Sequence, residues 1–171
     1  PIWTSIYFGI DREGLKANFD GLPAVNSSSL GLYLSYPKIS YFANQKNPGT
    51  ARFYLDEKDR LTLVNYEYQI DSGDAQLTLE EVESQRALWD QTLGGSPVAS
   101  YFDAGGRPRG QSNLQDVLAD HGSALLIWYG SELDILAKVD NSIEGENCVV
   151  SFYFQPTENP IIEMPTPQIN S

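Results

Sequence analysis

Short runs of aromatic and β-branched residues recur along the chain, and most of them end in a polar turn. The clearest pair is residues 50–56 and 60–70, in which apolar and polar positions alternate on both sides of a short polar turn. Such side chains suit a pleated, half-buried surface, so the pattern predicts a β-hairpin. The alternation slips between Leu63 and Val64, which predicts a β-bulge. Further strands are predicted over residues 2–10, 14–19, 30–34, 38–44, 97–102, 124–129, 133–139 and 149–154.

The middle of the chain has a different period. Thr78 and Glu81 have the spacing of a capping box, in which each side chain satisfies a backbone amide of the first turn. Two glycines at positions 94 and 95 mark the end of the helix predicted over residues 79–93. The apolar residues expected on its buried face are Leu79, Val82, Trp89 and Leu93.

A second, shorter helix is predicted near residues 113–121. Ser112 has the position of its N-cap, and Gly122 follows its last turn. His121, the single histidine, falls near the carboxyl end, where a histidine commonly interacts with free carbonyl groups.

Together these elements predict a β-rich α+β fold. We expect an antiparallel barrel or a strongly curved sheet with a central helical insertion, and a two-sheet β-sandwich is the alternative. Residues 1–155 are predicted to form a single β-rich domain. Residues 156–171 contain four prolines, which cannot donate to a sheet, and are predicted to form a proline-rich C-terminal arm or linker.

Composition narrows the classes of partner. The chain has 171 residues, 41% of them hydrophobic, which is typical of a globular protein. Its net charge of −12 argues against nucleic acid as a partner, because phosphate contacts need clustered lysines and arginines. No apolar run approaches the roughly 20 residues of a membrane-spanning helix, so no membrane partner is expected.

Cysteine and histidine are too scarce for a metal or cofactor site of the common kinds. Cys148 lies between apolar residues of a predicted strand and is expected to be a buried, inert thiol. Residues 140–147 are rich in oxygen ligands but lack the spacing of an EF-hand loop, so an ordinary polar loop is favoured. We therefore expect neither cofactor nor metal. The localisation is left unknown, with the cytoplasm slightly favoured because no signal peptide or disulfide pattern is visible.

The loop over residues 103–110 carries the most distinctive chemistry. Arg107 and Arg109 lie two positions apart beside several glycines, in a chain with few basic residues. Guanidinium groups bind carboxylates and phosphates through paired hydrogen bonds. Flanking aromatic and acidic side chains complete a candidate ligand-binding site whose members are Tyr101, Asp103, Arg107, Arg109 and Trp128.

Two classes of function fit these observations. The first is a non-catalytic binding module with an aromatic-lined concavity, whose ligand is a carbohydrate, a small hydrophobic molecule or a protein partner, with self-association left open. The second is a small β-barrel enzyme, such as a cyclase, isomerase or hydrolase, that uses Asp or Glu with Tyr and no metal or cofactor. The sequence contains no nucleophile, metal or cofactor motif, which favours the binding module, while the identity of any catalytic residues stays unknown.

Overall fold

The computed structural model describes residues 5–43, 45–71, 79–143 and 147–157. Within these ranges the chain forms three helices and nine strands. The helices are α1 (Arg12–Lys16), α2 (Leu79–Leu93) and α3 (Leu114–Ala119). The strands are β1 (Ala24–Ser28), β2 (Gly31–Ile39), β3 (Gly49–Leu55), β4 (Leu61–Ile70), β5 (Val98–Phe102), β6 (Pro108–Arg109), β7 (Ser123–Trp128), β8 (Leu133–Asp140) and β9 (Cys148–Pro156).

All nine strands belong to one antiparallel sheet in the order β1-β2-β3-β4-β9-β8-β7-β5-β6. The order is open, because β1 and β6 each have a neighbouring strand on one side only. This confirms the β-rich α+β prediction, but the described strands form neither a closed barrel nor two separate sheets. Closure depends on whether the first and last strands pair, and no local alternation of side chains encodes that pairing.

The hairpin expected from the strands predicted over residues 2–10 and 14–19 is wrong, because helix α1 occupies the centre of that segment. The Asp11 carboxylate accepts a hydrogen bond from the Gly14 amide at 2.8 Å and caps the first turn. The residues before the helix lie against β4, where the Gly9 amide donates to the Leu61 carbonyl at 2.8 Å. Asp and Gly are common both in hairpin turns and at helix starts, which explains the error.

Strands β1 and β2 also differ from their predicted bounds. Strand β1 forms inside a segment predicted to be a loop, and Ala24 pairs with Ser35 of β2. Strand β2 continues through Pro37 to Ile39, where the sequence predicted two separate strands over residues 30–34 and 38–44, and residues 40–43 are not in a strand. The register of β2 on β3 shifts around Pro37, and such irregularities are where a sheet accepts proline.

The longer remaining strands agree with the sequence, whereas the two-residue strand β6 forms in a segment predicted to be a loop. The β3–β4 hairpin has a bulge slightly earlier than predicted, at Thr62, since Tyr54 pairs with Leu63 while the next residue, Leu55, pairs with Leu61. Strands β5, β7, β8 and β9 lie where the alternating runs predict them. Strand β9 runs to Pro156, and the rest of the predicted C-terminal arm, from residue 158 onward, lies outside the described residues.

Helix α2 has the predicted bounds but a narrower buried face. Val82 and Trp89 are buried as expected, whereas Leu93 is half-buried and Leu79 is 53% exposed. Gln85 takes the inward position between Val82 and Trp89, because residues three and seven positions apart share one side of a helix. Leu79, three positions before Val82, is the first residue of the helix and stays exposed there.

The N-cap of helix α3 lies one residue later than predicted, and the helix ends in a Schellman motif. Asn113 is the N-cap, and its side chain accepts from the Asp116 amide at 2.9 Å. His121 has a φ of 58° and follows the helix in the left-handed conformation, so its backbone, rather than its imidazole, ends the helix. The next amide, that of Gly122, donates to the Val117 carbonyl at 2.8 Å. A Cβ at Gly122 would lie 2.3 Å from the Phe102 carbonyl oxygen, so the close approach of α3 to β5 requires glycine.

The core lies between the three helices and one face of the sheet, and its centre is aromatic. The ring of Trp89 packs edge-on against Phe152 of β9, with centroids 5.7 Å apart. The Trp89 indole donates to the Tyr68 hydroxyl at 2.6 Å, and that hydroxyl donates to Gln85 Oε1 at 2.7 Å. Burial raises the pKa of Tyr68, so this chain of hydrogen bonds is neutral and internally satisfied.

Candidate functional site

Four of the five predicted site residues lie together on the β5–β6 hairpin. Tyr101 of β5 pairs directly with Arg109 of β6. Closer to the turn, the Asp103 amide donates to the Arg107 carbonyl at 2.9 Å. Because side chains two positions apart project from the same side of a strand, the side chains of all four residues project from one face of this hairpin.

Asp103 shapes the turn. Its carboxylate accepts hydrogen bonds from the amides of Gly105 and Arg107, each at 2.9 Å. The turn is completed by the Gly106 amide, which donates to the Asp103 carbonyl at 3.0 Å, and Gly106 has a φ of 80°. The backbone of the hairpin therefore occupies Asp103, and its role is to fix the position of the arginines.

The two arginines have different surroundings. Arg109 Nη1 lies 2.9 Å from Asp120 Oδ2, just beyond the end of α3, and this ion pair ties the hairpin to the helix. Arg107 is exposed and makes no ion pair within the described part of the chain. Of the two guanidinium groups, that of Arg107 therefore has the greater freedom to bind an anion.

The structure does not bring Trp128 to this site. Trp128 is 5% exposed, its indole donates to the Gly95 carbonyl at 2.9 Å, and its ring lies 6.1 Å from that of Phe152. Tyr101 pairs with Ala124, four residues before Trp128 on β7, which separates the two by about 13 Å along the strand. Trp128 is a core residue.

An open groove of about 650 Å³ lies beside the hairpin. It is lined by residues 99–102 of β5 and by residues 108–112. Tyr101 and Arg109 therefore belong to its walls, whereas Asp103, Arg107 and Trp128 do not line it. Arg107 lies beyond the groove, in the turn that precedes β6.

The backbone of β5 is unpaired along part of this groove. Strand β6 pairs only with Tyr101 and Phe102, so within the described part of the chain β5 has no second neighbouring strand at Ala99. The Asp103 amide donates to the Arg107 carbonyl, so the backbone groups of Asp103 face the side of β5 on which β6 lies. Because these groups alternate in direction along an antiparallel strand, the amide and carbonyl of Ala99, four residues earlier, face that side too. Ala99 thus presents a free donor and acceptor to the groove. No sequence signal marks this position, because it results from the shortness of β6.

Acidic residues are numerous but do not gather in a buried site. The buried polar side chains of the described chain are Asn65, Gln85, Ser123, Asn141, Ser151 and Gln155, and none of these is a carboxylate. In the predicted polar loop, the Asp140 carboxylate accepts from the Ser142 amide at 2.9 Å, and the Asn141 amide side chain donates to the Leu118 carbonyl at 2.8 Å. Within the described residues, no three His, Cys, Asp or Glu side chains form a group that could hold a metal ion.

Cys148 is fully buried in the core, as predicted. Burial, reinforced by the negative charge of Asp140, raises the pKa of its thiol to about 12. The thiol is therefore protonated at neutral pH, and a buried, protonated thiol is not an effective nucleophile.

No helix among the described residues is long and apolar enough to cross a membrane. A scan against protein-family models and searches of curated proteins and of solved structures found no match to this chain.

Proposed function

We propose that the protein is a non-catalytic binding module whose groove beside β5 receives an extended segment of a partner protein. The observation that carries this proposal is the unpaired backbone at Ala99, which faces the groove. An extended segment adds to such a strand edge through main-chain hydrogen bonds, and side-chain contacts supply the specificity.

A carboxylate on the partner segment is the expected partner of Arg107. Its side chain is exposed in the turn that precedes β6, beyond one end of the groove, and it has no ion pair within the described chain. A carboxylate at that end of the bound segment can form two parallel hydrogen bonds with it. The attraction is local, because the chain as a whole has a net charge of −12. Salt is therefore expected to weaken binding.

The shape of the groove favours a protein segment over the other two ligand classes. Tyr101 and Phe102 line the groove, but both are half-buried, and as consecutive residues of a strand they project from opposite faces, which leaves no continuous aromatic surface for stacking on a sugar ring. The groove is also open along its length. Sites for small hydrophobic molecules usually enclose most of the ligand surface. The enzyme alternative would be supported by a buried carboxylate beside a tyrosine or arginine, and the described residues offer no such observation.

We further propose that the sheet is strongly curved around its central strands. Leu63, Asn65 and Leu136 are at most 6% exposed, although they alternate with core residues and so point away from the three described helices. Crowding of side chains on the inner side of a bent sheet accounts for this burial, and it supports curvature around the β4–β9 pair.

A display library of extended peptides, panned against the protein, tests the proposal. The selected peptides should contain an acidic residue, and their affinity should fall at least tenfold in Arg107→Glu, about 1.4 kcal/mol. Ala99→Pro should weaken binding as well, because it removes the amide that faces the groove. Both variants should melt within a few degrees of the wild type.

Lys58→Glu is the matched control, since it makes the same charge change on the exposed β3–β4 turn. Arg109→Glu is less informative, because it breaks the ion pair with Asp120 and so alters the hairpin. If Arg107→Glu and Ala99→Pro bind the selected peptides as the wild type does, the groove is not the binding site.

A further inference from the structure

The opposite edge of the sheet has a different character from the groove. Among the described residues, strand β1 pairs with β2 on one side only, and all five residues of β1 are exposed. An edge strand of this kind offers unpaired amides and carbonyls to another chain, and proteins usually block such edges with charges, bulges or proline. Pro23 limits β1 at its start, but the register of β1 on β2 is regular and contains no bulge.

The β1–β2 hairpin itself carries no charge before Lys38, although Asp56, Glu57 and Lys58 of the β3–β4 turn lie beside its turn. Residues 21–37 contain no Asp, Glu, Lys or Arg, although the chain has 23 acidic and 11 basic residues. Two copies of a protein with a net charge of −12 repel each other over most of their surfaces. The β1–β2 hairpin is the place where two copies approach with the least repulsion.

The direction of the free backbone groups follows from the hairpin. Ser28 and Gly31 flank a two-residue connection, and the pair that closes such a hairpin is hydrogen-bonded. In an antiparallel strand this pattern alternates, so Asn26 and Ala24 also face β2. The amides and carbonyls of Val25 and Ser27 therefore face outward.

We propose that β1 pairs with β1 of a second copy, antiparallel and about a twofold axis at Asn26. This register places Val25 opposite Ser27 of the second copy, so that both outward-facing residues of each strand are hydrogen-bonded. It also brings Leu22, which is 89% exposed, toward the β1–β2 turn of the second copy, which contains Leu30, at each end of the pairing. The surface is thus self-complementary, with polar residues at the centre and leucines at the ends.

The contact is small and involves one strand from each copy. Stable protein interfaces bury more surface than a single pair of edge strands provides. The expected dimer is therefore weak and forms as the protein concentration rises. It is independent of the groove beside β5, which lies at the other edge of the same sheet.

A disulfide trap tests the register. In the proposed pairing Asn26 faces Asn26 of the second copy as a non-hydrogen-bonded pair, for which the Cα atoms lie about 4.5 Å apart. Disulfides span about 4.4–6.8 Å between Cα atoms, so Asn26→Cys should cross-link into a dimer under mild oxidation. Ser29→Cys, exposed in the adjacent turn, does not face itself in this register and should cross-link at least tenfold more slowly. The buried Cys148 stays out of both reactions.

Sedimentation of the unmodified protein tests the association. The average mass should rise toward that of a dimer as the concentration approaches about 0.5 mM, a range that detects weak binding. Val25→Lys should abolish this rise, because it places two like charges beside the twofold axis. Val98→Lys, an equivalent change at the opposite edge of the sheet, should leave it intact.

Equal cross-linking of the two cysteine variants would overturn the register. A constant monomer mass up to the highest concentration would overturn the dimer, and the edge would then be left to a strand from a different protein. A dimer that persists in Val25→Lys and disappears in Val98→Lys would place the contact at the wrong edge and reject the proposal.

Discussion

The middle of the sheet and its edges have opposite relations to solvent. Around the β4–β9 pair, side chains on both faces are buried, and the core face carries Phe152, Tyr66 and Tyr68 under Trp89 of α2. At the edges, β1 is exposed along its whole length, and β5 has the two-residue strand β6 as its outer neighbour. The same antiparallel ladder is therefore a packed core at its centre and an open surface at both ends.

This difference separates stability from recognition. A central side chain contacts many others and cannot change without loss of packing. An edge residue contributes little packing but presents main-chain groups that only another strand can satisfy. Mutations at the centre should therefore alter the free energy of unfolding, and mutations of outward-facing edge positions should alter association.

The largest expected effect is at the centre. Trp89→Ala should lower the free energy of unfolding by about 3–5 kcal/mol, because it leaves a cavity above Phe152 and removes the donor to Tyr68. For a domain of this size the melting temperature should fall by about 6–20 °C. Leu79→Ala on the same helix is the control and should cost less than about 0.5 kcal/mol, since Leu79 is exposed. Equal losses in both variants, measured by denaturant unfolding, would contradict the placement of α2.

Proline substitutions at two adjacent positions of β5 should lower the free energy of unfolding by different amounts. The Ser100 amide faces β7, where Ser100 pairs with Leu125, whereas the Ala99 amide faces the groove. Ser100→Pro should therefore cost about 1–3 kcal/mol, because it leaves a carbonyl of β7 without its donor. Ala99→Pro should cost clearly less. Thermal denaturation of the two variants measures the difference, and the reverse order would show that the free edge of β5 has been assigned to the wrong side.

Buried ionisable groups in the core should also determine how the free energy of unfolding falls at alkaline pH. The folded Cys148 thiol has a pKa raised to about 12 by burial, against an ordinary value of 9.0. Above pH 9 the unfolded chain therefore loses this proton while the folded chain keeps it, and stability falls as the pH rises toward 12. The slope contributed by one such group is about 1.4 kcal/mol per pH unit.

Tyr41, whose pKa burial raises from 10.0 to about 12, adds to the decline above pH 10. Cys148→Ala should therefore show a shallower fall than the wild type between pH 9 and pH 10, in denaturant titrations at fixed ionic strength. Parallel curves for the two proteins in that window would mean that the thiol titrates alike in the folded and unfolded chains.

Local patterns predicted those elements whose signals lie within a few residues of one another. Helix α2 has the predicted bounds and ends before the glycines that follow Leu93, while Thr78 of the predicted capping box lies outside the described residues, and a bulge at Thr62 lies close to the slip in the alternation predicted between Leu63 and Val64. Similar local signals failed where two structures share them. Asp11 and Gly14 fit a hairpin turn as well as the helix start that they form, and a proline within β2 was tolerated at a register shift.

The candidate site shows the same limit. The sequence identified Tyr101, Asp103, Arg107 and Arg109 because they are neighbours in the chain, and the β5–β6 hairpin holds them together. It also included Trp128, whose aromatic character does not distinguish a core residue from a binding residue. Ala99 was missed entirely, since an alanine becomes notable only when the strand beside it ends.

The order of residues along the chain is enough to predict that the protein is β-rich, where most strands and the long helix lie, and that Cys148 is buried. Those properties follow from the period of apolar residues and from the residues that flank each element, which act over a few positions of the chain. Only the folded structure shows that the described strands form one open sheet, in which β1 and part of β5 have no described strand on their outer side. The reason is that strand pairing joins segments far apart in the chain, so an unpaired edge is a property of the whole sheet.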